Sequence, residues 1–138
     1  MSVFLDTNVL LYLFSDDQHK ADRAEELITT DAVVSVQVLN ELVAVARRKL
    51  AMNWSEIAET VRAIQSACAV EPVTVEIHHE ARRLAEKHQL AWYDALIVSA
   101  ALAAGCKTLF SEDMHDGLRI ENVLTVRNPF RSDEQAMK

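Results

Sequence analysis

The order of apolar runs along this chain predicts an α/β fold with a mainly parallel sheet. Two observations carry that expectation. Short runs rich in β-branched and aromatic residues alternate with longer stretches whose apolar residues recur at helical spacing, the pattern of βα units with parallel strands and right-handed crossovers. Only two Gly and two Pro occur in 138 residues, so connections should be short.

The elements follow in order. Val3-Phe4-Leu5 reads as a buried strand ending at the polar Asp6-Thr7-Asn8, after which Val9 to Phe14 suits a buried helix. Lys20 to Thr29 carries Ala21, Ala24, Leu27 and Ile28 on one helical face, with Asp22, Arg23, Glu25 and Glu26 outward. Ala32 to Val36 reads as a second strand. Gln37 to Leu50 is an amphipathic helix with Leu39, Leu42, Val43 and Ala46 inward and Glu41 on the flank of that stripe. Asn53 followed three residues later by Glu56 is a helix-start signature, and Glu71-Pro72-Val73 ends the helix that it opens. Thr74 can cap a helix carrying Ile77, Ala81, Leu84 and Ala85. Asp94 would start an Ala-rich helix, with Gly105 just past its end. Lys107 to Phe110 and Val123 to Val126 are the remaining strands, separated by a polar turn through Asp116-Gly117. There is no internal repeat. A single domain over residues 1–130 is expected, with 131–138 as a polar tail without structure.

Composition narrows the function. Fourteen basic against 21 acidic residues give a net charge of -7, which argues against a generic electrostatic coat on nucleic acid but not against a nuclease with an acidic metal site. Cys68 and Cys106 are too few and too far apart for a disulfide framework, and read as buried reduced thiols. The N-terminus lacks the basic segment of a secretory signal, and Ala95 to Ala104 is too short to span a membrane; a cytoplasmic location is expected.

Four acids stand beside apolar runs: Asp6, Glu41, Asp94 and Asp113. Each alone has an ordinary explanation. Asp6 and Asp94 suit helix caps, Glu41 a solvated helix face and Asp113 a turn. As a set they point further. In parallel sheets ligands bind outside the carboxyl ends of the strands at a topological switch point, and Asp6 and Asp113 both follow such ends. Two carboxylates at about 4 Å repel by roughly 4 kcal/mol at an effective dielectric of 20, so a shared cluster requires raised pKa values or a cation. Thr7, Asn8 and Ser111 can orient a carboxylate or a metal-bound water. Oxygen-only donors suit Mg²⁺ or Mn²⁺, whereas His19, His78, His79, His88 and His115 lack zinc-site spacing and read as surface residues. No phosphate-cradling Gly-rich loop, dinucleotide fingerprint or nucleophile elbow is present.

Phe4-Leu5-Asp6-Thr7-Asn8-Val9-Leu10, Asn40-Glu41-Leu42, Trp92-Tyr93-Asp94-Ala95-Leu96-Ile97 and Leu109-Phe110-Ser111-Glu112-Asp113 resemble the successive motifs of PIN-domain proteins, specifically the VapC-type toxins of bacterial toxin–antitoxin pairs. The match runs over nearly the whole chain. The resemblance implies a three-layer α/β/α fold with a central sheet of four to five strands and Mg²⁺- or Mn²⁺-dependent endoribonuclease activity. It also implies frequent dimerisation and inhibition by a cognate antitoxin. Carried over by position, Asp6, Glu41, Asp94 and Asp113 form the acidic quartet that holds the metal, with Ser111 at the family's Ser/Thr position and Asn8 its polar partner. Glu112 and Asp116 lie in the same segment, which leaves the fourth acid open between Asp113 and Asp116.

Two other readings compete. An aspartyl-phosphate mechanism on Asp6 would want a second Asp two residues on, where Asn8 stands. A non-catalytic interaction protein would keep a vestigial acidic pocket and use the apolar faces of the Leu10 to Phe14 and Leu39 to Val43 helices for a partner. Arg47, Arg48 and Lys49, or Arg82 and Arg83, could track an RNA backbone, against the ordinary reading of solvated helix faces.

Overall fold

The computed structural model describes residues 2–131. The chain runs β1 (Val3–Leu5), α1 (Thr7–Leu11) with a 3₁₀ turn at Tyr12–Phe14, α2 (Gln18–Ile28), β2 (Ala32–Ser35), α3 (Val36–Arg48) and α4 (Trp54–Ala67). It continues through β3 (Ala69–Glu71), α5 (Val75–His88), α6 (Trp92–Ala103), β4 (Thr108–Phe110), β5 (Arg119–Ile120) and β6 (Leu124–Arg127).

The six strands form one sheet in the order β3-β2-β1-β4-β6-β5. The β1 pairings with β2 and β4, and those of β2 with β3 and β4 with β6, are parallel; β5 pairs antiparallel with β6. The helices flank this sheet, giving the expected α/β layering. From β1 the chain builds outward through β2 and β3, then returns to place β4 on the other side of β1. The switch point therefore lies between β1 and β4, where Phe4 sits opposite Val33 on one side and Leu109 on the other.

β-branched and aromatic residues line this sheet because both of its faces are covered. Phe4, Leu5, Val34, Leu109, Leu124 and Val126 have no exposed surface. From α6, the run Ala95–Ala101 is buried throughout, so this helix is apolar on all sides rather than amphipathic. Fully burying an aliphatic side chain of this kind contributes about 1.5–3 kcal/mol. The carboxyl edge near the switch point is thus held by a rigid core.

Several boundaries differ from the sequence expectation. The sheet has six strands, not four to five. β3 lies in the segment read as the end of α4, and pairs Val33 and Val34 of β2 with Ala69 and Val70; β5 is a two-residue strand within the segment read as a turn. α6 begins at Trp92, two residues before Asp94, and its N-cap is Ala91 with no side-chain cap bond. Val36 opens α3 rather than ending β2, and Ser35 caps that helix through the Val38 N–H. The buried stripe of α3 is Val38, Leu42 and Ala46, with Leu39 and Val43 only half-buried. Asn53 and Glu56 form the reciprocal cap foreseen for α4, and Thr74 caps α5. Gly105 follows α6 at φ +76°, where a side chain would be strained.

Cys68 and Cys106 are buried and unpaired. His19, His78, His79 and His115 are exposed, while His88 is half-buried. Among the described residues no helix is long and apolar enough to cross a membrane. Of the expected polar tail, residues 132–138 lie outside the described residues.

Candidate active site

Asp6 is the N-cap of α1, immediately after β1, and is 5 % exposed. Its backbone N–H bonds the Phe110 carbonyl at 3.0 Å, which ties the β1–α1 junction to the end of β4. Its side chain accepts the Thr7 N–H at 2.7 Å on Oδ1, and the Ser111 hydroxyl at 2.8 Å and the Asn8 amide at 3.2 Å on Oδ2. The cap role suggested for an isolated Asp at this position is therefore real, but it uses one oxygen only. Asn8 is the hub: the same amide nitrogen lies 3.3 Å from Ser111 Oγ and 3.3 Å from Asp113 Oδ2, and its carbonyl accepts the Glu112 N–H at 2.9 Å.

Glu41, in α3, is half-buried and accepts the Thr7 hydroxyl at 3.1 Å. It is thus not a solvated helix residue. Asp94 is half-buried in the first turn of α6 and, since the helix starts at Trp92, does not serve as its N-cap. Asp113 is exposed and faces Asn8.

The electrostatics join the four. Burial raises the Asp6 carboxyl to about 6, against the lowering effect of the bonds from Ser111 and Thr7, and repulsion from Asp94 and Asp113 adds to the rise. Glu41 is raised by burial, partly offset by the Thr7 bond, and then by Asp6 and Asp94. Asp94 is raised by burial and by Asp113. Among the described residues no Lys, Arg or His forms an ion pair with any of the four. Like charges share a partly dry edge without a protein cation, the condition that invites either protons or a metal ion.

The donors are hard oxygens, as Mg²⁺ or Mn²⁺ prefers. Among the described residues, however, no three His, Cys, Asp or Glu side chains are close enough to hold an ion directly as placed. The arrangement fits a hydrated ion gripped by one or two carboxylates, the others acting through water, rather than an all-protein cage.

Asp116 and Glu112 are committed elsewhere. Asp116 accepts the Asn128 N–H at 2.8 Å and pairs with Arg131 at 2.9 Å, anchoring the segment after β6. Glu112 accepts the Tyr12 hydroxyl at 2.5 Å and pairs with Lys20 at 3.2 Å. Geometry therefore groups Asp113, not Asp116, with Asp6. The Lys20 ammonium also lies 4.5 Å from the centre of the Tyr12 ring. Tyr12 and Lys20 gave no signal in the sequence, because the residue that they restrain lies roughly a hundred positions away. Of the suggested RNA-tracking cations, Arg47 donates to the Met52 carbonyl and stacks 4.7 Å from the Trp54 ring centre. Arg82 bonds His79, while Arg83 is held by Glu80 and Glu121.

Comparison with known proteins agrees with this architecture. The sequence pattern of the PIN domain matches residues 3–115. None of the curated proteins matches the chain. Among solved structures, a toxin–antitoxin complex from Klebsiella pneumoniae superposes with a TM-score of 0.71 at 20% identity, covering 94% of this chain and 99% of that one. A DNA-bound VapBC from Salmonella typhimurium gives 0.68 at 21%, covering 94% and 98%. A sarcin-ricin loop cleaving VapC toxin from Mycobacterium tuberculosis gives 0.63 at 19%, covering 80% and 91%. At these identities the likeness is one of fold. With a family match over most of its length and the carboxylates at the switch point of the sheet, the chain belongs to the PIN domain family.

Proposed function

We propose that this chain is a Mg²⁺- or Mn²⁺-dependent endoribonuclease, the VapC-type toxin of a toxin–antitoxin pair. The observation that carries the reading is the group Asp6, Glu41, Asp94 and Asp113 at one sheet edge, three of them with raised pKa values and none, among the described residues, with an ion-pair partner. The toxins among its structural neighbours support it.

Asp6 and Asp94 are the residues proposed to hold the ion, with Glu41 and Asp113 completing its surroundings or serving a second ion. Bound there, a divalent ion would neutralise charge on the phosphate oxygens and lower the pKa of a water that serves as nucleophile. The chain's own residues do the rest. Ser111 and Asn8 fix the Asp6 carboxylate by donating to Oδ2, and Thr7 fixes Glu41, so neither acid needs to reorganise when phosphate arrives. Because their pKa values are raised, an ion competes with protons for these carboxylates, so loading it displaces protons and becomes easier as pH rises.

The test is cleavage of RNA by purified protein with Mn²⁺, with EDTA and with Asp94→Asn, sequencing the product ends. Internal cuts that need the ion and are lost on substitution are expected; metal-independent cutting, or undiminished cutting by a folded Asp94→Asn protein, defeats the reading.

A cognate antitoxin and a second copy of the chain are proposed as partners. Support for the first is an open cleft of ≈330 Å³ beside Asn8, walled by Leu11, Tyr12, Phe14, Val45 and Leu50, with Lys49 at its rim. The same cleft favours the rival reading of a non-catalytic interaction protein, which predicts no stabilisation by Mn²⁺ or Mg²⁺.

A further inference from the structure

A protein of net charge -7 that cuts RNA must still grip a polyanion near its acids. Of the cations suggested by sequence, Arg47, Arg82 and Arg83 are engaged elsewhere, which leaves Arg48 and Lys49, the latter at the rim of the cleft beside Asn8. A different group of basic side chains does converge. Arg23, Arg127 and Arg131 line a second cavity of ≈330 Å³ together with Asn128, Pro129 and the single carboxylate Asp116. The three arginines come from α2, the end of β6 and the segment after it, and Asp116 from the segment between β4 and β5, so the group is invisible as a run in the sequence.

The pocket is built rather than accidental. Arg23 Nε donates to the Pro129 carbonyl at 3.1 Å, which fixes that guanidinium in the wall. Arg131 is held by Asp116 at 2.9 Å, and Asp116 in turn accepts the Asn128 N–H at 2.8 Å. Arg127 is exposed, and among the described residues no hydrogen bond or ion pair engages its guanidinium. Arg23 also pairs with Glu26 at 3.2 Å on the exposed surface, so two of the three guanidiniums each carry a carboxylate and Arg127 supplies the charge that no ion pair among the described residues offsets. Planar, always charged forks of this kind match phosphate oxygens in pairs.

Position gives the pocket its meaning. The Arg127 carbonyl accepts the Ser111 N–H at 3.0 Å, and Ser111 is the residue whose hydroxyl holds Asp6. β1, β4 and β6 are successive neighbours in the sheet, so the pocket opens on the same carboxyl edge as the acids, about 10 Å along it at two strand spacings. A strand whose scissile phosphate lies at Asp6 and Asp94 would carry a neighbouring phosphate towards these arginines.

We propose that the Arg23–Arg127–Arg131 pocket binds a backbone phosphate of the RNA flanking the cleaved bond. This rests on the nuclease reading above and adds to it where the net-negative chain finds its electrostatic hold. The contact is to phosphate, so it positions the strand without reading its sequence.

The experiment compares wild type with Arg127→Ala, Arg127→Lys and Arg23→Gln, using a fluorescently labelled oligoribonucleotide at graded salt. Cleavage is followed with Mn²⁺, and binding by anisotropy in EDTA. Arg127→Ala should raise KM and weaken binding by about fivefold to tenfold with kcat within about twofold, and make the salt slope shallower by roughly 0.7, the value for one phosphate contact on a single strand. Arg127→Lys should recover part of the loss, since it restores the charge but not the fork. Inorganic phosphate should inhibit wild type more than Arg127→Ala. Wild-type cleavage with unchanged KM and salt slope in the folded Arg127→Ala protein overturns the pocket while the nuclease reading stands. Inhibition by phosphate without an RNA affinity change in that variant overturns it equally, assigning the site to a small anion. Absence of any wild-type cleavage, with binding still weakened by Arg127→Ala, defeats the nuclease reading and leaves the pocket as an RNA-binding site.

Discussion

At the scale of the residue, Asp6 carries the most tension. Folded, it titrates near 6, against an ordinary value of 3.8, because burial disfavours its charge. Between those two values the folded state holds the extra proton, so the stability from this group is complete below about pH 4 and is lost as pH rises through 6. The loss is about 3 kcal/mol in the metal-free protein. Glu41 and Asp94 act in the same direction. Urea unfolding in EDTA should therefore show wild-type stability falling over this range and Asp6→Asn falling less steeply; equal slopes would place the raised carboxyl elsewhere. Ser111 has the opposite effect, since its hydroxyl stabilises the Asp6 anion. Ser111→Ala leaves a buried acceptor short of a donor, which should destabilise the protein by about 1–3 kcal/mol. It should also weaken Mn²⁺ binding roughly 10- to 100-fold, readable by calorimetry.

At the scale of the element, the sequence made legible those features whose signal is local. The strand-turn-helix at Val3 to Leu10 and the paired cap of Asn53 with Glu56 were readable because side-chain chemistry and position coincide within a few residues. β3 was not, because three residues before Pro72 look like a helix ending until β2 is present to pair with them. The start of α6 was misplaced for a related reason: Ala91 is a cap with no capping side chain, so the first acid downstream, Asp94, attracted the assignment. That error had a functional counterpart, since an Asp that does not cap a helix is available for other work. The Asn53 cap offers a clean separation of stability from activity. Asn53→Ala should cost about 1 kcal/mol in unfolding free energy with RNA cleavage unchanged at a temperature where both proteins are folded. A matching drop in kcat would couple α4 to the site.

At the scale of the whole molecule, the site is a property of topology. The four acids were legible one by one as candidates, and the switch-point rule placed Asp6 and Asp113 on one edge, but the choice of Asp113 over Asp116 needed Asn8 and Arg131 in place. The arginine pocket needed α2 and the segment after β6 together, which periodicity along the chain cannot show. Uncompensated charge at the edge predicts a response to ions by the entire fold. Mn²⁺ at a fixed concentration, about a hundred times the wild-type dissociation constant at pH 7.5, should add about 2.7 kcal/mol to stability at that pH. That gain should be larger at pH 7.5 than at pH 5, where protons compete, and smaller in Asp94→Asn. Thermal melts at both pH values check it, and a gain independent of pH would mean that the ion binds away from the raised carboxylates.

The hydrogen-bond frame around Asn8 reaches from residue 6 to residue 113, spanning most of the polypeptide. Closing so long a stretch of chain costs entropy that local helices avoid, so these contacts are expected to form after the helices between them. A nascent chain that has not yet emerged past residue 110 would carry Asp6, Glu41 and Asp94 yet lack the Ser111 hydroxyl and the Asp113 carboxylate. If the chain cuts RNA as proposed, assembly of the site only at the close of synthesis would shield the ribosome and message that are making it.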